Sequence, residues 1–310
     1  MSYFDETYKN SYAINLTNRC NTYCKYCYRA ANTGKKEELY YNDVKRIVEY
    51  FNSEYPHEKK RYVILSGGEV FVNPDIFSII ELFLQNQYDV RLQTNGISIS
   101  EMNNKELKLL SDKRISFKFS LDGATSEIHE INRAAGTFDL LMKTISVLKS
   151  VHQESIGITT VVTKDNIDDL TNIISLCTDL GIKGFTYNIL RLDGYGDCLS
   201  AEKVISEDEV IRRILPFITK KEHLKLLNGC NILKYALLGT NYIETVPQFY
   251  IYNTGDVYCD NRLKFSAIGN VKSDKKLSFV FDETKLNVYT KNQISNDTYN
   301  LIIKRLKEVI

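Results

Sequence analysis

Nowhere in the 310 residues does an apolar run approach the length of a membrane span. The opening stretch, MSYFDETYKNSY, is polar and aromatic and lacks the apolar core of a secretory signal. Neither a low-complexity tract nor a short repeat is visible. No charge of one sign dominates: 40 Lys+Arg against 39 Asp+Glu leave +1, which speaks against nucleic-acid binding driven by bulk charge. The seven cysteines are odd in number and three are bunched, so they do not form the paired framework of a secreted disulfide domain. The expected setting is a reducing cytoplasm with no membrane and no nucleic acid as partner. The length suits one large domain, or a large one with a small one.

What is present is a tight cysteine run. Cys20, Cys24 and Cys27 stand at C-x3-C-x2-C in NRCNTYCKYCYRA. Structural zinc wants four ligands, usually as paired knuckles, and no His or Cys pair follows at a suitable distance. Three thiolates on one short loop instead suit a [4Fe–4S] cubane, which normally takes four cysteines. With three, one iron keeps an open position that binds and activates something else.

From the cysteine loop to about residue 192, strand-like and helix-like stretches alternate. Strands are predicted at Tyr12–Thr17, Tyr62–Ser66, Val90–Thr94, Ile115–Ser120, Gly157–Thr163 and Phe185–Leu190, each short, β-branched or aromatic, and bounded by Gly, Asn or Asp. Apolar stripes at Ile76/Ile79/Ile80/Phe83, Phe138/Leu141/Ile145/Leu148 and Leu170/Ile173/Ile174/Cys177 predict helices, the first opened by Asn73 as N-cap with Pro74. Six β–α repeats imply an α/β fold with a parallel sheet, either an open doubly wound sheet or a partial barrel. Chemistry in such folds sits at the C-terminal strand ends. There lie the three cysteines, Gly67-Gly68-Glu69, Asn95-Gly96 and Asp122-Gly123, although Gly, Asn and Asp are also ordinary turn residues. After Asp193 the pattern changes. Helices are read over Glu207–Lys220 and around Cys230–Leu238, a hairpin in VPQFYIY and DVYCD turning at Asn253-Thr254-Gly255, and a last helix over Asn296–Ile310 with Leu301, Ile302, Leu306 and Val309 as apolar contacts. The division falls at 1–194 and 195–310.

With these residues in view, positions 12 to 192 resemble the radical S-adenosylmethionine (radical SAM) superfamily. The resemblance implies a partial (β/α)6 barrel of the TIM type. It implies that Cys20, Cys24 and Cys27 bind a [4Fe–4S] cluster whose open iron chelates S-adenosylmethionine. Tyr26 would lie near the adenine, and Gly67, Gly68 and Glu69 would meet the methionyl amine, where a carboxylate suits an ammonium and glycines let the backbone approach. LQTNG (Leu92–Gly96), SLDGATSEIHEINRAAGTF (Ser120–Phe138) and VVTKDN (Val161–Asn166) are similar to the branch of anaerobic sulfatase maturases and peptide maturases. There Ser120 and Arg133 would contact the methionyl carboxylate, with Thr94, Asn95 and Asp122 as further cofactor contacts. Arg133 alternatively forms a surface ion pair.

The tail resembles the opening of a SPASM or shorter twitch domain, a small α+β extension. That would make Cys230 and Cys259 ligands of an auxiliary cluster. The domain's later cysteine run is absent, so two complete auxiliary clusters are excluded. One could form only if Cys198 joins, with Cys177 or an outside ligand as fourth. Cys177 sits on an apolar stripe and reads as a small buried hydrophobe. Cys198 is open as ligand, hydrogen-atom donor or bystander. Asp260 matches a general base of the sulfatase maturases, or else simply ends a hairpin.

The chemistry implied is reductive cleavage of S-adenosylmethionine to a 5′-deoxyadenosyl radical, which abstracts hydrogen from a substrate C–H bond. The leading expectation is a maturase of a ribosomally made peptide, by cross-link, oxidation or epimerisation. It would use a flavodoxin- or ferredoxin-type electron donor, and either a separate leader-peptide-binding protein or the barrel's own surface. The alternative is a radical dehydrogenase of a small amino sugar or cyclitol. A sulfatase maturase is disfavoured by the missing cysteines, and a degenerate, non-catalytic homologue by the intact triad, GGE, Ser120 and Arg133.

Overall fold

The computed structural model describes residues 11–33, 37–54, 61–192, 194–195, 199, 201–219, 221–227, 242–243, 249–258, 267–278, 288–289 and 295–309. Six parallel strands, β1 (Ser11–Asn15), β2 (Arg61–Ser66), β3 (Tyr88–Thr94), β4 (Ile115–Ser120), β5 (Ile156–Val162) and β6 (Gly184–Ile189), lie side by side in chain order. All six fall where the sequence puts them, with ends shifted by one or two residues. An unbroken order 1-2-3-4-5-6 has no reversal point, so the winding is that of a barrel and not of a doubly wound sheet. β6 does not close onto β1, and the barrel is partial.

Helices α1 (Tyr41–Glu54), α2 (Ile76–Gln85), α3 (Asn104–Leu110), α4 (Ser126–His129), α5 (Thr137–Ser150) and α6 (Leu170–Asp179) connect the strands. Each longer helix buries one stripe against the sheet. On α1 it is Val44, Ile47, Val48 and Phe51, at the i, i+3, i+4, i+7 spacing of one helical face. Phe51 stacks on Tyr12 of β1 with ring centroids 4.0 Å apart. Along β4 Ile115, Phe117 and Phe119 are buried, while Ser116, Lys118 and Ser120 take the opposite face. The predicted N-cap Asn73 is displaced. Its Oδ1 accepts from the Asp75 amide at 3.0 Å and its Nδ2 donates to Leu39 O, so α2 starts only at Ile76 with Asp75 in the cap position.

Beyond β6, α7 (Glu207–Ile214) is shorter than predicted. Pro216, which lacks an amide hydrogen, tightens the chain into a 3₁₀ turn at Leu215–Phe217. A further helix, α8 (Lys221–Leu226), follows. β7 (Tyr242–Ile243) pairs antiparallel with β11 (Val288–Tyr289). The predicted hairpin is β8 (Phe249–Ile251) and β9 (Asp256–Tyr258), with Gly255 at φ 95° in the turn. It is extended by β10 (Gly269–Asn270). β8 runs parallel to β1 and adds the hairpin to the barrel sheet, making nine strands. In the last helix, α9 (Asn296–Val309), Ile302 and Leu306 are buried, but Leu301 is turned to solvent, contrary to the sequence reading. The helix read around residues 230–238 lies outside the described residues. Among the described residues no helix is long and apolar enough to cross a membrane.

Candidate cofactor site at the mouth of the barrel

The cysteine loop leaves the C-terminal end of β1 and is closed on itself by one side chain. Asn32 accepts from the Cys20 amide at 2.8 Å and donates to the Cys20 carbonyl at 3.0 Å. Cys27 and Ala30 continue the loop through turns, their amides bonding to Cys24 O and Cys27 O. At its start Thr17 and Arg19 both bind the buried Glu38 carboxylate. Burial alone would raise the Glu38 pKa, but Arg19 and Thr17 overcome it and the net shift is downward.

Gly67-Gly68-Glu69 follows β2 and lies directly on the backbone of this loop. The Gly68 amide donates to Thr17 O at 2.8 Å and the Glu69 amide to Arg19 O at 2.9 Å. A Cβ on Gly68 would stand 2.2 Å from Arg19 O, and one on Gly67 would stand 2.5 Å from Thr17 O. The contacts are backbone to backbone, so no side chain can swing away. Gly68→Ala is therefore expected to cost about 1–3 kcal/mol by overpacking and to lower iron uptake, read by thermal melts and iron content. A variant matching wild type in both would refute this account of the glycine.

Glu69 is fully buried. Its carboxylate accepts from the Phe71 amide, the Thr94 hydroxyl at 2.6 Å and the Asn95 amide at 2.8 Å. Burial pushes its pKa up, against the pull of those hydrogen bonds. Thr94 and Asn95 at the end of β3 are thus tied to the GGE turn. Asn95 also reaches the cysteine loop, with Nδ2 donating to Asn21 Oδ1 at 2.8 Å and lying 3.9 Å from Cys20 Sγ.

The third wall comes from β4. Arg133 Nε donates to Asp122 Oδ2 at 2.5 Å, and both side chains are nearly inaccessible. The Tyr26 hydroxyl donates to the same carboxylate, whose Oδ1 accepts from the Val161 amide at 2.8 Å. The Arg133 guanidinium lies 5.5 Å from the Tyr26 ring centroid. Burial would lower the Arg133 pKa, but the charge of Asp122 more than reverses it; burial, with Asp122 nearby, holds the Tyr26 hydroxyl protonated. Arg133 is thus held in a buried pair and not a surface one.

Thr22, Cys24, Asn95, Ser120, His129 and Arg133 line a small cavity, partly open to solvent. The donors around the sulfurs fit a thiolate-bound cluster. Arg133 Nη1 lies 3.7 Å from Cys24 Sγ, and the Thr22 hydroxyl 3.4 Å from Cys20 Sγ. Burial raises the pKa of both thiols, and iron ligation would offset that burial by replacing the proton. Among the described residues no three Cys, His, Asp or Glu side chains converge on one metal ion. Cubane ligands bind separate iron atoms and need no such convergence.

A sequence model of the Radical SAM superfamily matches residues 14–177, just over half of the chain. The chain belongs to the radical SAM superfamily. Members of the superfamily bind a [4Fe–4S] cluster and S-adenosylmethionine. Among relatives, mycofactocin maturase MftC of Mycobacterium tuberculosis is 26% identical over 226 residues, covering 72% of this chain and 55% of MftC. An AdoMet-dependent heme synthase of Oleidesulfovibrio alaskensis is 28% identical over 218 residues, covering 69% of this chain and 54% of that protein. The chain thus spans about half the length of these curated relatives. The crystal structure of Streptococcus suis SuiB bound to precursor peptide SuiA superposes with a TM-score of 0.67 at 17% identity, covering 87% of this chain and 64% of SuiB. At that identity the likeness speaks for the radical SAM barrel fold alone.

The residues singled out in the sequence, Cys20, Cys24, Tyr26, Gly67, Gly68, Glu69, Thr94, Asn95, Ser120, Asp122 and Arg133, come together at this mouth, with Cys27 on the same loop. Cys177 is instead in the core of α6, its pKa pushed up to about 12 by burial. Cys198, Cys230, Cys259 and Asp260 lie outside the described residues. The residue the sequence reading passed over is His129, within the HEINR stretch. Its Nδ1 accepts from the Asp122 amide at 3.1 Å, and burial with the Arg133 charge lowers its pKa to about 4. A folded-state value below the ordinary 6.5 means that the unfolded chain takes up the proton first. Its contribution is present above pH 6.5 and lost as pH falls toward 4, by up to roughly 3 kcal/mol. Thermal melts across that window should show an acid loss that the His129→Asn variant lacks; equal slopes would refute it.

Proposed function

We propose that the protein is a radical SAM enzyme acting on a ribosomally made peptide. The observation that carries the reading is a cavity at the barrel mouth lined by Cys24, Asn95, Ser120 and Arg133, with the Gly68 and Glu69 amides of the GGE turn bonded to the start of the cysteine loop. Cys20, Cys24 and Cys27 would hold the cluster. Gly67, Gly68 and Glu69 would take the amine of S-adenosylmethionine, Ser120 and Arg133 its carboxylate, and Tyr26 the adenine side, with Thr94, Asn95 and Asp122 fixing these groups. When bound, the two cofactors supply reductive cleavage of a sulfur–carbon bond and removal of hydrogen from an unactivated C–H bond. The chain's own work is to orient and to exclude. Asp122 fixes the Arg133 fork, Asn95 and Thr22 supply donors toward sulfur, and the packed Tyr26 ring keeps water from that flank.

The peptide reading draws support from the similarity to a mycofactocin maturase and from the fold shared with a protein crystallised on a precursor peptide. We further propose 1–194 as the cofactor-binding core and 195–310 as a shortened SPASM/twitch-like extension. Cys198, Cys230 and Cys259 are candidates for an auxiliary cluster, Cys198 also for a hydrogen-atom donor and Asp260 for a base. A flavodoxin- or ferredoxin-type electron donor and a separate leader-binding protein complete the proposal. The second reading, a small-molecule substrate, is favoured by the similar match to a heme synthase. The test is anaerobic reconstitution with dithionite and S-adenosylmethionine. 5′-Deoxyadenosine should appear in the wild type and be absent in Cys24→Ala. Incubation with peptides encoded beside the gene should then change the mass of one of them. No deoxyadenosine would overturn the enzyme reading, and deoxyadenosine with every peptide unchanged would move the substrate to the small-molecule class.

A further inference from the structure

His129 is 1% exposed, yet it lines the cavity together with Cys24, Ser120 and Arg133. Three contacts fix it. The Asp122 amide donates to Nδ1 at 3.1 Å. Phe138 meets the ring edge-on at 5.8 Å. The α4 turn that carries it is clamped to the end of β4, where a Cβ on Gly123 would stand 2.3 Å from the His129 amide nitrogen. Because Nδ1 accepts, the ring hydrogen of the neutral form must sit on Nε2. Nε2 has no hydrogen-bond partner among the described residues and is not sealed from solvent-sized space. A nearly buried donor without a partner, in a wall shared with a guanidinium, is arranged for an acceptor that enters from outside.

We propose that His129 is a ligand-binding residue whose Nε2–H donates to the carboxylate of the S-adenosylmethionine methionyl group, beside Arg133 and Ser120. The proposal rests on the cofactor assignment made above. One imidazole then serves two sides. Nδ1 holds the backbone of Asp122, the residue that orients Arg133, while Nε2 reads the same carboxylate that Arg133 attracts. Burial, helped by the positive field of Arg133, keeps the ring neutral, so it contributes direction without a second charge.

Two amide side chains separate the roles. His129→Asn places an acceptor near Nδ1 and removes the cavity donor. His129→Gln extends a donor toward the Nε2 position. The measurement is equilibrium dialysis of S-adenosylmethionine alone against reconstituted, oxidised protein, with no reductant or substrate, together with iron content. His129→Asn should hold wild-type iron but bind S-adenosylmethionine about tenfold more weakly, the scale of one hydrogen bond to a charged group. His129→Gln should stay within about twofold of wild type. Wild-type binding by the Asn variant would overturn the proposal and leave His129 as a backbone anchor only. If the Asn variant does not fold, tenfold weaker binding by the Gln variant would overturn it equally. Failure of the wild type itself to bind S-adenosylmethionine would overturn the cofactor assignment, and the His129 role with it.

Discussion

Asp122→Ala should lower the stability of the apoprotein by about 3–5 kcal/mol, the scale for removing one partner of a buried ion pair. The reason is what is left behind. Arg133 would remain in a buried wall with no carboxylate, and the Tyr26 hydroxyl and the Val161 amide would each lose their acceptor. Asp122→Asn keeps the shape and one acceptor oxygen but not the charge, and should fall between. Asp122→Ala combined with Arg133→Met removes both charges and should recover much of the loss, because a buried pair replaced by apolar groups is often close to neutral. Urea denaturation of the apo forms, followed by two probes, measures all four proteins. A loss below about 1 kcal/mol in the single Ala variant would mean that water reaches Arg133.

The second large effect concerns the metal. Replacing Cys20, Cys24 and Cys27 together by Ala should remove about four irons and four sulfides per chain, one cubane. The apo fold should be nearly unchanged, because loop closure rests on Asn32 and on the Gly68 and Glu69 amides and not on the sulfurs. Iron and sulfide counts with Mössbauer spectra on wild type and variant read the first expectation, and apo melting curves read the second. Iron surviving in the variant would belong to a second site, for which Cys198, Cys230 and Cys259 are the candidates. A variant that lost no iron at all would remove the cysteine loop from the cofactor site.

Much of this was legible from residues alone because parallel strands are short, doubly covered and written in β-branched and aromatic residues; all six barrel strands announce themselves that way. The triad and GGE were legible for another reason, since chemistry allows few other residues at those places. Three things were not. The Asn73 cap was misread because Asn satisfies a turn as readily as a helix end, and here it spends both amide groups on Leu39 and Asp75. Leu301 was placed inward because the NLII run in α9 leaves the face undecided by one position. His129 carried no signal of its own. Its meaning comes from Asp122 and Arg133, seven and four residues away along the chain, being folded around one ring.

The pairing of β8 with β1 has a consequence for how the chain reaches this state. Tyr12 lies opposite Phe249, so β1, which precedes the other barrel strands in the chain, waits for a late part of the sheet before its outer edge is covered. Until then β1 offers a row of unpaired amides and carbonyls, which is the ordinary template for joining another molecule. Contacts so far apart in sequence also form late, after the loop entropy between them has been overcome. Production of this protein should therefore be sensitive to temperature and to chaperone supply. Truncation before residue 249 should give aggregated material even though every one of the six barrel strands is present.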